Sequence, residues 1–471
     1  MKHFYSLLLS FVAVYFAGAV YAQDYNKDEV QQMASAFLGN GVSTFSNNAA
    51  TLTIDSLFLG DNPKMFLCQN GTNWVVLANE QLVKPVVCHG EGTITLDELY
   101  ESPLWFLLTE SMIGLDSIRI LGDDANPEGF ATDNGIATLA SSTAMTPLLE
   151  KNGIVNKWNQ LSNNSGTTDI NKSYNKLCPS FYNVSNGKTA VGCTAVAMGQ
   201  ILWYWKFPSS ARIPVSIDIA GITSYDFETH YYDWNNTPGS IYNSTPQKQI
   251  DNVAGLLRDC GYSGNMIYGA QGSSMTLTNA LSALRNDFNY SAHMKQYSSG
   301  AKKFNNIIKS EMAAGRPVMI QATHATNVKK FGTHTFIIDG YDSNAEEYHL
   351  NLGWGGGSVN TWYSVSGTDS YYNYRVARRM LYEIIPNNTK QAVAPQNYDI
   401  EETENDIITF GGNHITIDAS NVEQWAIYDN YGNLMLEGNE PSINITDLSN
   451  GLYIIRVQIA GSIQSKTFLK R

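Results

Sequence analysis

From Val191 to Pro208 the chain is apolar on nearly every side of a projected helix. Ala195, Ala197 and Gly199 are small, while Val196, Met198, Ile201, Leu202 and Trp203 spread around most of the circumference. A single apolar stripe would mark a surface helix, so this pattern predicts one buried almost all round. Cys193 stands at its start, where free N–H groups and the helix dipole favour a thiolate. An inert buried cysteine is the rival reading, because free Cys is among the most buried residue types.

Ahead of this helix, Asp28–Leu38 has a short helical pattern. Strand-like runs follow at Thr51–Leu57, Lys64–Cys68, Trp74–Leu77 and Pro85–Cys88. A second helical stretch covers Leu96–Ile120, with a break at Pro103. Gly122–Ser142 is small and polar, as expected of an exposed linker open to proteolysis. A cleavable linker before a reactive cysteine points to a propeptide; a plain interdomain linker is the alternative.

After the central helix, Tyr225–Tyr242 reads as a loop-rich surface, and Gln247–Cys260, Leu277–Phe288 and Phe304–Ala314 as helices. The period then changes to that of strands at Pro317–Gln321, His334–Asp339, Glu347–Asn351 and Tyr374–Ile385. Helices around the cysteine followed by an antiparallel sheet make an α+β domain. Beyond Pro386 a linker leads to short alternating runs at His414–Ile417, Trp425–Tyr428, Leu434–Glu437 and Leu452–Ile459, the spacing of a small β-sandwich.

The chain has 471 residues, enough for two or three domains, and 43% apolar residues with nine Trp supply real cores. A formal net charge of -13 argues against nucleic acid as a partner. Lys2 and His3, an apolar run from Phe4 to about Ala17 and small residues at Val20 and Ala22 read as a cleaved signal peptide. An uncleaved anchor is the alternative; no other run is long enough to span a bilayer, so no stable membrane span is expected.

The five cysteines are Cys68, Cys88, Cys178, Cys193 and Cys260. None forms a CxxC or a zinc-type Cys/His cluster, so no metal or cofactor is expected. An odd count leaves at least one thiol unpaired. Cys68 can pair with Cys88 and Cys178 with Cys260, leaving Cys193 free; the sequence does not choose.

Candidate chemistry lies in Cys193, His334 and Asn351, in that order, 141 and 17 positions apart. That order and spacing suit a papain-type site, in which an imidazole takes the thiol proton and a third residue fixes its tautomer. Trp354 is placed to shield that contact from water. His324 and His349 lie on the same sheet and are the alternative bases.

Gly192-Cys193 with the following helix to Pro208, His334-Thr-Phe-Ile-Ile-Asp-Gly-Tyr341 and His349-Leu-Asn-Leu-Gly-Trp-Gly-Gly356 resemble the three signature blocks of the streptopain family of cysteine proteases, peptidase family C10. Tyr232-Asp-Trp234, Asp259-Cys-Gly261 and Asn265-Met266 extend the resemblance over most of residues 65–386. It implies a papain-like catalytic domain of two lobes, one helical and one an antiparallel sheet, preceded by an inhibitory α+β propeptide. In that pattern Cys193 is the nucleophile, His334 the base and Gln160 the oxyanion-hole donor beside the Cys193 N–H. Such a donor contributes about 3–4 kcal/mol to transition-state stabilisation. A surface role is the alternative for Gln160, since the segment after it departs from the family. Leu352 stands where the family carries a Trp beside the histidine, which puts the His geometry in question. Pro147-Leu-Leu149 resembles the start of a mature enzyme, implying cleavage near Ala140–Met145. The end of the chain, Gly451-Leu-Tyr-Ile-Ile-Arg-Val and Lys466 to Arg471, resembles the type IX sorting domain of Bacteroidetes; an accessory sandwich is the alternative.

The expected organisation is a signal peptide at 1–22, a propeptide at 23–143, a protease domain at 144–386, a linker at 387–398 and a sorting β-sandwich at 399–471. The expected function is a secreted or surface-bound cysteine endopeptidase made as a zymogen. Its partners would be protein substrates, its own propeptide and the outer-membrane secretion machinery. The alternative is a catalytically silent protease-like protein that binds or inhibits others; acyl transfer to an amine is a further one.

Overall fold

The structure, a computed structural model, describes residues 24–39, 52–81, 83–121, 145–151, 153–160, 162–180, 187–269, 272–296, 301–323, 333–356, 360–364, 377–387, 408–411, 413–419, 422–429, 434–449, 451–459 and 462–470. The expected signal peptide, the linker over 122–142, most of the expected cleavage region and His324 lie outside them. The chain divides into two compact units, Met1–Thr389 and Lys390–Arg471.

The first unit is built on one ten-stranded antiparallel sheet. Its order is Thr53–Phe58, Pro63–Gln69, Asn73–Ala78, Val86–Glu91, Thr361–Ser364, Glu347–Asn351, Thr333–Asp342, Val318–Thr323, Ala377–Pro386 and Tyr290–Gln296. The leading region therefore does not stand apart. Its fourth strand pairs with Thr361–Ser364, Trp362 facing His89 and Tyr363 facing Cys88. Sequence periodicity located most of these strands, but Thr361–Ser364 and Tyr290–Gln296 are short or half-exposed and carry little alternation.

Helices cover both faces. On one, Pro103–Leu121 and Ala301–Ala313 share an apolar cluster that runs from Leu57, Met65 and Val76 to Phe336, Ile338 and Leu350. On the other, Cys193–Trp205, Gln247–Ser263 and Leu277–Asn286 pack with Met319, Ile337 and Leu381. Lys27–Gly39 closes the same sheet's leading end over Cys68, Val75 and Leu77. The expected break at Pro103 is real: Leu96–Glu101 ends at Ser102 and a new helix begins at Pro103. Thr95 and Glu98 form a reciprocal capping box at the start of the first.

Of the motifs flanking the central helix, Tyr232 and Asp259 serve the fold. The buried Asp259 carboxylate accepts from His230 Nδ1 at 2.9 Å, Tyr232 Oη at 3.1 Å and Arg258 Nε at 2.8 Å. The region expected to be loop contains a strand, Phe227–Tyr231, paired with Ser210–Pro214.

All five cysteines are free, so neither of the two possible pairings is formed. Cys68 faces Val75 across its strand pair and Cys88 faces Val76, so the two thiols point to opposite faces of the sheet. Cys178 and Cys260 sit in one apolar cluster with no bond between them.

The second unit is a sandwich of a three-stranded sheet (Ile408–Gly411, His414–Ile417, Ser442–Asn444) and a four-stranded one (Leu434–Gly438, Val422–Asp429, Gly451–Ile459, Ser462–Lys470). Ile415, Trp425, Ile427, Ile455 and Val457 share its core. Among the described residues, no helix is long and apolar enough to cross a membrane.

Candidate active site

Gly192 sets the position of the nucleophile helix. Its φ of 85° is in the left-handed region, and a Cβ there would lie 2.9 Å from the Ser273 carbonyl oxygen. The glycine turns the chain sharply, so that Cys193 becomes the first helical residue. Thr194 to Trp203 are all buried, as the all-round apolar pattern predicts. Cys193 itself is only half-buried.

The His334 imidazole lies near enough to the Cys193 sulfur to govern its ionisation. Burial pushes the thiol up, but hydrogen bonding toward His334 and the imidazole's charge pull it the other way. With help from the Thr335 backbone and the Thr194 hydroxyl, the net result is a thiol lowered to about 7. A short polar chain steadies the pair. Thr194 Oγ1 and Thr335 Oγ1 are 2.9 Å apart, and Gln321 Nε2 donates to Thr335 Oγ1 at 3.2 Å. His334 is buried, and its ring stacks on Phe336 at an interplanar angle of 18°.

His334 Nε2 lies 2.9 Å from the Leu352 carbonyl oxygen. A carbonyl only accepts, so Nε2 carries the hydrogen and Nδ1 is the nitrogen left to take a proton. The hydrogen bonds of Asn351 go elsewhere than the ring, where a direct orienter was expected. Its Nδ2 donates to the Asn156 carbonyl at 2.8 Å, and its Oδ1 accepts from Gln200 Nε2 at 2.9 Å and Gly353 N at 3.2 Å. The last bond closes a turn over the Leu352 peptide and so aims its carbonyl. Because the contact to His334 is main-chain, the loss of an aromatic side chain at 352 does not remove it. Leu352 instead fills a fully buried place in the apolar cluster.

Gly353 has a φ of 65°, and a Cβ there would lie 3.0 Å from Val196 Cγ1, so the turn passes directly over the nucleophile helix. Trp354 is half-buried and bridges to Asn159, while Gly355 N donates to the Trp158 carbonyl at 3.1 Å. These contacts bring the segment bearing Gln160, itself half-buried, alongside the turn. His349, the alternative base, is engaged elsewhere: its Nδ1 lies 2.6 Å from Asp339 Oδ1. Sequence reasoning missed Gln200 and Asn156. The available signal was a lone amide inside an otherwise apolar helix, seven positions after the cysteine.

Residues 169–363 match the Peptidase C10 family. The match covers less than half of the chain. Gln160 precedes the matched range, and the match is shorter than the extent over which the motifs alone suggested resemblance. Residues 406–471 match the secretion system C-terminal sorting domain. Among curated relatives, the chain is 28% identical over 202 residues to streptopain of Streptococcus pyogenes serotype M1, covering 39% of this chain and 49% of that one. It is 28% identical over 191 residues to the thiol protease/hemagglutinin PrtT of Porphyromonas gingivalis, covering 38% and 21%. The matched stretch thus spans about half and about a fifth of those relatives. Solved structures with some likeness include a Prevotella intermedia prointerpain A fragment (20% identity, TM-score 0.47, covering 71% of this chain and 99% of that one). Active interpain A of the same organism gives 23% identity and a TM-score of 0.37, covering 48% and 94%.

Proposed function

We propose that this chain is an exported cysteine endopeptidase made as a zymogen. The observation that carries the reading is a half-buried cysteine at a helix start whose thiol the His334 imidazole lowers to about 7. His334 takes the thiol proton at Nδ1, and the thiolate attacks a peptide carbonyl to give an acyl-enzyme and a free amine. The imidazolium returns its proton to that leaving amine, and water then hydrolyses the thioester with the same ring as base. The Cys193 N–H and the Gln160 amide receive the oxyanion, and Trp354 shields the His334 contact. Asn351 acts through the Leu352 carbonyl.

Residues 23–143 are the propeptide in this reading and 144–386 the protease domain. The leading region holds to the central region by extending its sheet, and cleavage falls near Ala140–Met145. The sorting sandwich, 399–471 after a linker, hands the exported chain to outer-membrane secretion machinery, leaving it secreted or on the surface. The signal peptide at 1–22 starts that route.

N-terminal sequencing of the purified full chain and of Cys193→Ala after incubation tests this. A new terminus near residue 143 in the first only, with epoxide labelling of Cys193 that is lost in His334→Ala, is the expected result. An unlabelled Cys193 and no cleavage of any protein would favour the silent binding protein instead.

A further inference from the structure

Three residues of the helix Cys193–Trp205 meet the site in one line. The Cys193 thiol is lowered by His334, Val196 underlies Gly353, and Gln200 donates to Asn351. Positions 193, 196 and 200 are spaced three and four apart and so share one helix face. Gln200 is fully buried, and its neighbours from Ala195 to Trp203 are buried and otherwise apolar or small. A buried amide is costly there unless its bonds compensate. Gln200 Nε2 donates to Asn351 Oδ1 at 2.9 Å and Asn156 Oδ1 at 3.0 Å.

Asn351 closes the triangle by donating to the Asn156 carbonyl at 2.8 Å. All three amides are buried. From this knot, two arms run to the reacting groups. One is the turn from Asn351 to Gly353, whose Leu352 carbonyl meets His334 Nε2. The other starts at Asn156, whose Oδ1 also accepts from Trp158 N at 3.2 Å, and leads to Gln160. The nucleophile's own helix therefore holds both arms through a single side chain.

We propose that Gln200 is a positioning residue: its amide fixes the Asn351 turn, and through the Leu352 carbonyl the angle of the His334 ring to the Cys193 sulfur. The same amide steadies the segment that presents Gln160. This rests on the protease reading above, which assigns the roles of Cys193 and His334. Gln200 itself touches no reacting atom.

The test is the full chain with Gln200→Leu, compared with wild type and with Leu202→Ala as a stability control from the same buried helix. Two readouts are taken: the pH profile of Cys193 alkylation by iodoacetamide, and kcat and KM on a fluorogenic casein substrate. With the ring free to tilt, kcat should fall of order 10- to 100-fold with KM little changed, the size expected of a slight misplacement. The alkylation midpoint should move to higher pH. Leu202→Ala should lower the unfolding temperature while keeping the wild-type midpoint. If Gln200→Leu does not accumulate, Gln200→Met, unbranched and of similar length, takes its place in both readouts. A variant that loses stability like Leu202→Ala yet keeps the wild-type midpoint and kcat overturns the proposal. A wild-type chain whose Cys193 alkylates only at the pH of an ordinary thiol overturns the protease reading, and the proposal with it. The two failures are thus told apart by which chain shows them.

Discussion

His334 Nε2 lies 2.9 Å from the main-chain carbonyl oxygen of Leu352. The orienting group is therefore the same whatever residue stands at 352, while the side chain there serves packing. Both parts can be separated by substitution.

Leu352→Ala should leave the carbonyl in place and open a cavity in the buried cluster, lowering stability by about 2–5 kcal/mol. Thermal unfolding and the pH profile of Cys193 alkylation, measured on the same variant, check this. The unfolding temperature should fall while the alkylation midpoint stays near 7. A midpoint that climbs with no loss of stability would mean that the side chain, rather than the peptide, sets the ring.

The thiol of Cys193 is lowered to about 7 against burial, so the imidazole outweighs desolvation. Alkylation should rise through about pH 7 and level off above it. In His334→Ala only the burial penalty and weaker hydrogen bonds remain, and the limb should move above the ordinary thiol value of about 8.5. The sign for stability follows. A depressed folded-state value adds stability that is full above the ordinary thiol range and is lost as pH falls through about 7. An unchanged limb in His334→Ala would disprove the ion pair.

The other four cysteines are buried and their thiols are pushed up by desolvation, Cys68 and Cys178 to about 12. Cys88 and Cys260 are shifted the same way. Titration with Ellman's reagent should find one reactive thiol in the folded chain and, without reductant, all five after denaturation. Fewer than five in the denatured state would reveal a disulfide.

Much of this was legible before any coordinates. The buried helix after Cys193 showed in its all-round apolar surface, because periodicity reports burial directly. The place of His334 at the head of a strand was legible because an apolar run follows it. The role of Asn351 was not legible, since the order Cys, His, Asn says nothing about whether an amide reaches the ring or the peptide beside it. Nor was Gln200, whose partners lie 44 and 151 positions away. The continuity of the sheet was hidden for a similar reason. Thr361–Ser364 is four residues long and pairs with a strand more than 250 positions earlier.

That seam leads to the last prediction. The leading region meets the central one through the strand pairing of His89 and Cys88 with Trp362 and Tyr363. Thr361 Oγ1 donates to the His89 carbonyl at 2.8 Å, His89 Nε2 lies 2.9 Å from Glu347 Oε2, and Ser111 bonds with Tyr363. Beneath these bonds Leu104, Leu108 and Met112 share one apolar cluster with Ile338, Leu350 and Tyr363. Salt weakens an ion pair but not such a cluster. Cutting the chain at an engineered protease site within 122–144, in the Cys193→Ala background, should therefore leave the two pieces together. They should co-elute on gel filtration at low salt and at 1 M NaCl, a condition whose screening length is about 3 Å. Urea should separate them in one step with loss of the sheet signal. Release of the leading piece on cutting alone would mean that the continuous sheet depends on the covalent link, and that cleavage by itself frees the cysteine.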